Sequence, residues 1–318
     1  MLLGEKYFLL NINIEGKNKI GEQLDADKWL DTESGKGIAT IFYTEHSLAD
    51  IRNNKDDKFS TDYDGGLFVK EFDGRINNNA RIVSIGKKHL YIYKQLGELG
   101  DLKGDEFELE KRERKTQIHP PKGFKIKMIA KESLKHCPLV LVTIKSNQWM
   151  ARGTFKEIKD DNPLLFGSYL AMNYLIGGSK KQQEVADFRE YLQCLSSIEF
   201  ETLIAKIYES KGYHVPAYKG GFMKNFDLFC TKDGEGTVSL QIKLYLKSKH
   251  AKIIKEFNDT LFYCVNSEIK NKSITNIRNH SDILDDLNNL KEKEREKVKR
   301  WLEKTLDWVK PNYDKARN

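Results

Sequence analysis

Between Ser196 and Leu244 the apolar residues change their spacing from that of a helix to that of a strand, and this limits the fold more than any other part of the chain. Phe200, Leu203, Ile204 and Ile207 recur every three or four residues, which sets them on one helix face. Ser196 with Glu199 predicts a capping box, each side chain serving a backbone amide of the first turn. Gly212 predicts a left-handed cap at the other end. Tyr213-His214-Val215 and a loop with Gly220-Gly221 follow. Residues 226–230 then read as a short strand, 232–236 as a turn and 237–244 as a second strand. His214 reads as a strand-edge residue and Glu199 as a cap.

The polar residues interrupting these strands carry the chemistry. Asp227 faces opposite to Phe226 and Leu228, while Gln241 and Lys243 share one face and Leu240, Ile242 and Leu244 the other. Strands paired about the Gly-containing turn bring Asp227, Gln241 and Lys243 to one end of the sheet, with Glu201 approaching from the helix. Such a group suits a hard divalent cation beside a phosphate. Asp227 would supply a carboxylate, Gln241 a neutral oxygen and Ile242 its main-chain carbonyl. Lys243 would orient or help deprotonate the attacking water and offset transition-state charge. The bland alternatives are a surface Glu201, a plain Asp227–Lys243 salt bridge and an ordinary sheet-face Gln241. An unpaired buried Asp227 would be costly, so a partner is required.

The order Phe200-Glu201, Gly212-Tyr213, Asp227 between apolar residues, then Gln241-x-Lys243 resembles the Mrr-like branch of the PD-(D/E)XK nuclease superfamily, over roughly residues 198–244. The resemblance implies an αβββαβ restriction-endonuclease-like α/β core and a DNA endonuclease of restriction, anti-phage defence or repair type. It also implies magnesium, with manganese as a substitute, and a catalytic set of Glu201, Asp227, Gln241 and Lys243, with Asp227, Gln241, Ile242 and Glu201 around the metal. Residues 251–257 read as a helix, 261–265 as a strand and 283–309 as one long amphipathic helix, in keeping with that core. Two departures stand out. Gln241 replaces the expected acid, which lowers the negative charge at the metal, and Phe226 stands where a Gly is usual.

Upstream, short apolar runs at 7–14, 38–43, 67–72, 81–85, 90–93 and 139–144 read as strands of a β-rich domain, and 119–123 as hard punctuation. After Pro163 a helix is expected at 164–176 and another pattern at 182–195, separated by Gly177-Gly178. The expected domains are therefore 1–177 and 184–318. The first is read as selecting the target, with a distant analogy to EVE and PUA barrels that take a modified base into an aromatic pocket. Trp149 and Arg152, beside Gly153-Thr154, are its candidate nucleic-acid contacts, with Trp29 and Tyr43 as further pocket aromatics and core packing as the alternative.

With 54 basic and 47 acidic residues the net charge is +7, which suits a polyanion without proving one. Lys247, Lys249 and Lys252 form a basic run just past the site that reads equally as a DNA-backbone contact or a solvated face. The four cysteines lie far apart and read as reduced thiols, no phosphate loop occurs, and neither a membrane span nor a secretory leader is expected. A cytoplasmic protein acting on double-stranded, modified or unmodified DNA is the first reading, with a homodimer through the last helix as a minority one. A nuclease-fold binding or repair protein without turnover and an RNA-directed nuclease are its rivals.

Overall fold

A computed structural model describes residues 5–11, 14–17, 23–24, 26–33, 37–42, 47–53, 64–102, 121–144, 155–177, 181–216, 226–270 and 274–314. The chain divides into two compact units. One comprises Met1–Cys137 with Ile144–Lys159, the other Pro138–Thr143 with Asp160–Asn318.

The first unit contains β1 (Lys6–Leu10), β2 (Ile14–Lys17), β3 (Gln23–Leu24), α1 (Ala26–Leu30), β4 (Ile38–Phe42), α2 (Leu48–Asn53), α3 (Asp64–Phe72), β5 (Ala80–Ile85), β6 (His89–Gln95), β7 (Gly100–Asp101), β8 (Pro121–Ser133) and β9 (Phe155–Ile158). Seven strands form one mixed sheet in the order β4-β8-β6-β5-β1-β9, with β7 also on β8. β1 is parallel to β5 and antiparallel to β9. Phe8 stacks on Phe155 at 4.8 Å, and Phe72 lies 4.9 Å from Phe124, so α3 is clamped to the sheet by aromatic rings. Trp29 is buried in this same core. Tyr43, Trp149 and Arg152 lie outside the described residues.

Three readings are corrected in this part. Residues 67–72 are helical, because Phe68, Val69 and Phe72 bury one helix face; so short an apolar run does not declare its period. Residues 139–144 begin with a four-residue helix whose first turn closes on the Pro138 carbonyl, context overriding the β-branched content. The supposed punctuation at 119–123 runs into a 13-residue strand, β8, with Pro121 at its first position, where a missing amide is tolerated.

The second unit contains α4 (Leu139–Val142), α5 (Phe166–Ile176), α6 (Phe188–Gln193), α7 (Ser197–Ser210), β10 (Leu228–Lys232), β11 (Gly236–Leu246), α8 (Ala251–Glu256), β12 (Thr260–Ser267), β13 (Ile277–Arg278), α9 (His280–Asn288) and α10 (Glu292–Thr305). Its sheet runs β10-β11-β12-β13, the first pair antiparallel and the others parallel. The β11–α8–β12 segment is a crossover between parallel strands. Leu228, Leu240, Ile242 and Tyr263 are buried on the face covered by α7. On the opposite face Ile254 of α8 packs with Phe262 and Cys264. Among the described residues, the first of the three strands expected before the crossover is represented by a bridge between His214 and Thr231.

The long helix expected over 283–309 is two helices. Asn288 and Asn289 are poor helix formers, and the turn at Leu290 buries that side chain between α9 and α10. Likewise α6 is shorter than the pattern over 182–195, since Asp187 caps it by accepting from the Glu190 amide at 2.9 Å. The structural division falls near residue 160, ahead of the Gly177-Gly178 break, because α5 packs against α6. Gly167 makes that approach: a Cβ there would overlap the Gln193 carbonyl oxygen and lie 2.9 Å from Cys194 Cα.

Buried tyrosines fasten α7 to the sheet. Tyr208 and Tyr263 hydroxyls meet at 3.2 Å, Tyr263 donates to Asp286 at 2.9 Å, and Lys211 pairs with Asp286 at 2.7 Å. Gly167→Ala should lower the unfolding free energy of this unit by ~1–3 kcal/mol through overpacking, read from urea denaturation. Tyr263→Phe should cost ~1–3 kcal/mol in the same assay, because Tyr208 and Asp286 each lose a buried partner.

Candidate active site

The helix that begins the site is closed at both ends by its sequence. Glu199 donates its amide to Ser196 Oγ at 3.3 Å, and its carboxylate accepts the Ser196 amide at 2.8 Å. Burial pushes the Glu199 carboxyl above its usual range although both bonds to Ser196 pull it down, so Glu199 acts as a cap. At the other end Gly212 has φ +88°, and the amides of Gly212 and Tyr213 return to the carbonyls of Glu209 and Tyr208. This Schellman turn aims the chain at β10, where His214 exchanges main-chain bonds of 2.7 and 3.0 Å with Thr231. His214 is a strand-edge residue, as its position suggested.

The hairpin register sets Leu228 against Leu240 and Lys232 against Gly236. Just before β10, the Asp227 amide donates to the Leu240 carbonyl at 2.7 Å. Two residues further along β11, the Ile242 amide points to the same edge but has passed the end of β10. Asp227 Oδ2 fills the gap, accepting from Ile242 N–H at 2.7 Å, from Gln241 Nε2 and from Lys243 Nζ at 3.2 Å. Among the described residues its other oxygen, Oδ1, has one long contact of 3.5 Å, to the same lysine. A residue's N–H and C=O leave a strand on the same side, so the Ile242 carbonyl also faces the Asp227 edge.

Asp227, Gln241 and Lys243 are thus brought together as the alternation predicted. The Asp227 side chain is 20% exposed and that of Lys243 47%, a pair open enough to meet a solvent-borne substrate. Glu201 follows the buried Phe200 on α7, the helix packed on β11, and is partly buried. Among the described residues no three His, Cys, Asp or Glu side chains cluster in a way that could hold a metal ion. Any cation here would rely on neutral oxygens beside one or two carboxylates. Lys247, Lys249 and Lys252 are exposed just beyond β11. Sequence reasoning passed over Tyr245, His250 and Glu268, which surround that turn; the only signal was that Tyr245 shares the alternation of Gln241 and Lys243.

Residues 192–266 match the family model Mrr_cat, described as a restriction endonuclease. No curated protein and no solved structure matches the chain. The matched segment opens at the end of α6 and closes within β12, so it spans α7, the hairpin, the crossover and every residue of the Asp227 cluster. Residues 192–266 are therefore a restriction-endonuclease domain of the Mrr-like branch, set within the second structural unit.

Proposed function

We propose that the protein is a metal-dependent DNA endonuclease whose chemistry is carried by Asp227, Gln241, Lys243 and Glu201. The observation that carries this reading is the Asp227 carboxylate, fixed by the Ile242 amide through one oxygen while the other, among the described residues, has only a long contact to Lys243. A magnesium ion, or manganese in its place, suits these donors, which are all oxygens. Asp227 Oδ1, the Ile242 carbonyl and Gln241 Oε1 would hold it, with Glu201 from α7. Gln241 would have to turn its amide, since its nitrogen now donates to Asp227.

When bound, such a cation polarises the phosphate and lowers the pKa of a bound water. The chain's own residues do the rest. Lys243, tethered by a contact to Asp227 of 3.2 Å, places a positive charge and a proton donor where a phosphodiester oxygen would sit. Asp227 keeps that ammonium from swinging into solvent. The exposed Lys247, Lys249 and Lys252 continue the positive charge along the path of a nucleic-acid backbone. The first unit, outside the matched segment, is proposed to select the target, and restriction or anti-phage defence is the setting that fits a nuclease coupled to a separate selecting unit.

Gln241 also supports a second reading, a nuclease-fold protein that binds DNA without turnover, because the neutral amide weakens the metal site. Purified protein with plasmid DNA, in magnesium and in chelator, separates the two, and structured RNA in place of plasmid tests the sugar. Asp227→Ala and Lys243→Ala should each reduce cleavage at least ~100-fold while duplex binding persists. Asp227→Asn, which retains an oxygen for the Ile242 amide, should be as inactive as the alanine variant. Cutting at wild-type rates by any of them sinks the assignment. Gln241→Glu should retain cleavage and reach half-maximal rate at lower magnesium, since it restores a carboxylate. A folded but inactive variant would show that Gln241 does something other than supply an oxygen.

A further inference from the structure

The turn joining β11 to α8 is fastened from two sides. Glu268, just past β12, accepts from the Ser248 amide at 2.9 Å, from Ser248 Oγ at 3.0 Å and from the Tyr245 hydroxyl at 2.8 Å. Within the turn, the Lys247 amide donates to His250 Nδ1 at 3.0 Å, and the His250 amide donates to the Lys247 carbonyl at 2.9 Å. A ring nitrogen that accepts carries no proton, so the neutral imidazole has its N–H at Nε2. That Nε2 has no hydrogen-bond partner among the described residues.

The surroundings of the ring are cationic. Burial first, then the charges of Lys249, Lys243 and Lys247, hold His250 below the usual histidine range, and Glu268 alone pulls the other way. Lys243 belongs to the Asp227 cluster, so the ring stands within electrostatic reach of the proposed reaction centre. A rigid neutral donor among three lysines is a poor neighbour for another cation and a good one for a phosphate.

We propose that the Lys247–His250 turn grips a DNA phosphate beside the one attacked, with His250 Nε2–H as the directional donor and Lys247 and Lys249 supplying charge. The inference rests on the nuclease reading and names a further positioning residue for it. Lysines alone would attract the backbone anywhere along their flexible reach, whereas an imidazole locked by its own turn fixes one phosphate in register with Lys243.

The test uses the full chain and a short DNA duplex in chelator, so that binding is read without cleavage. In His250→Asn the new Oδ1 can still accept from the Lys247 amide, but no donor remains at the Nε2 position. In His250→Gln an N–H returns near that position. The asparagine variant should bind about tenfold more weakly and the glutamine variant within about twofold of wild type. By NMR, the duplex should raise the pKa of the His250 ring, because a phosphate favours its protonated form. Wild-type affinity in the asparagine variant, equal weakening in both variants, or a ring titration unmoved by the duplex would each overturn the proposal. Absence of duplex binding and of magnesium-dependent cleavage in the wild-type protein would sink the nuclease reading itself, a separate outcome.

Discussion

The carboxylate of Asp227 does the work of a missing strand residue. β10 pairs with β11 only as far as Leu228, and beyond that point it is the Asp227 side chain that accepts the Ile242 amide. By accepting that amide, the side chain stays committed to one position, and the bond from the Asp227 amide to Leu240 keeps the main chain from drifting. Everything at the site is measured from this point. Lys243 is held by it, Gln241 lies against it, and the Ile242 carbonyl is presented at the same edge. An acid placed by a sheet ladder is better fixed than one on a free loop, because moving it would unmake hydrogen bonds of the hairpin.

Much of the matched segment was legible because its signals are local. A capping box, a terminal glycine and alternating faces concern residues within a few positions of one another. The structure returned them at Ser196, Gly212, Asp227, Gln241 and Lys243. Where the reading failed, the deciding partner was distant. Residues 67–72 are helical because Phe68 and Phe72 meet Phe124 and Phe155 across the sheet, a contact no window of the sequence contains. The division of α9 from α10 depends on where Leu290 finds a buried place. Burial also settled Trp29 as a core residue, a choice that composition left open.

His250 shows a different kind of blindness. Its setting was illegible because the partners that define it are its own turn and a carboxylate at position 268, eighteen residues further along the chain. The Glu268 contacts join the end of β12 to the end of β11, so the turn takes its shape from the parallel pairing of the two strands. Electrostatics follows from topology in this case: the crossover that sends the chain through α8 also gathers the lysines of 243, 247 and 249 around one ring.

The boundary between the units has a consequence for how such a protein can be assembled or taken apart. The chain passes from the first unit to the second at Pro138, returns at Ile144 and leaves again at Asp160. β9, on the returning stretch, ends the order of described strands in the first sheet and pairs with β1. No single break in the polypeptide therefore yields two whole modules: a cut before β9 takes that strand from the first sheet, and a cut after it leaves α4 behind. Replacement of the first unit would have to spare α4, a four-residue helix within the Pro138–Thr143 stretch, or rebuild its contact with α5. Inheritance as one piece is the simpler course for a chain threaded in this way.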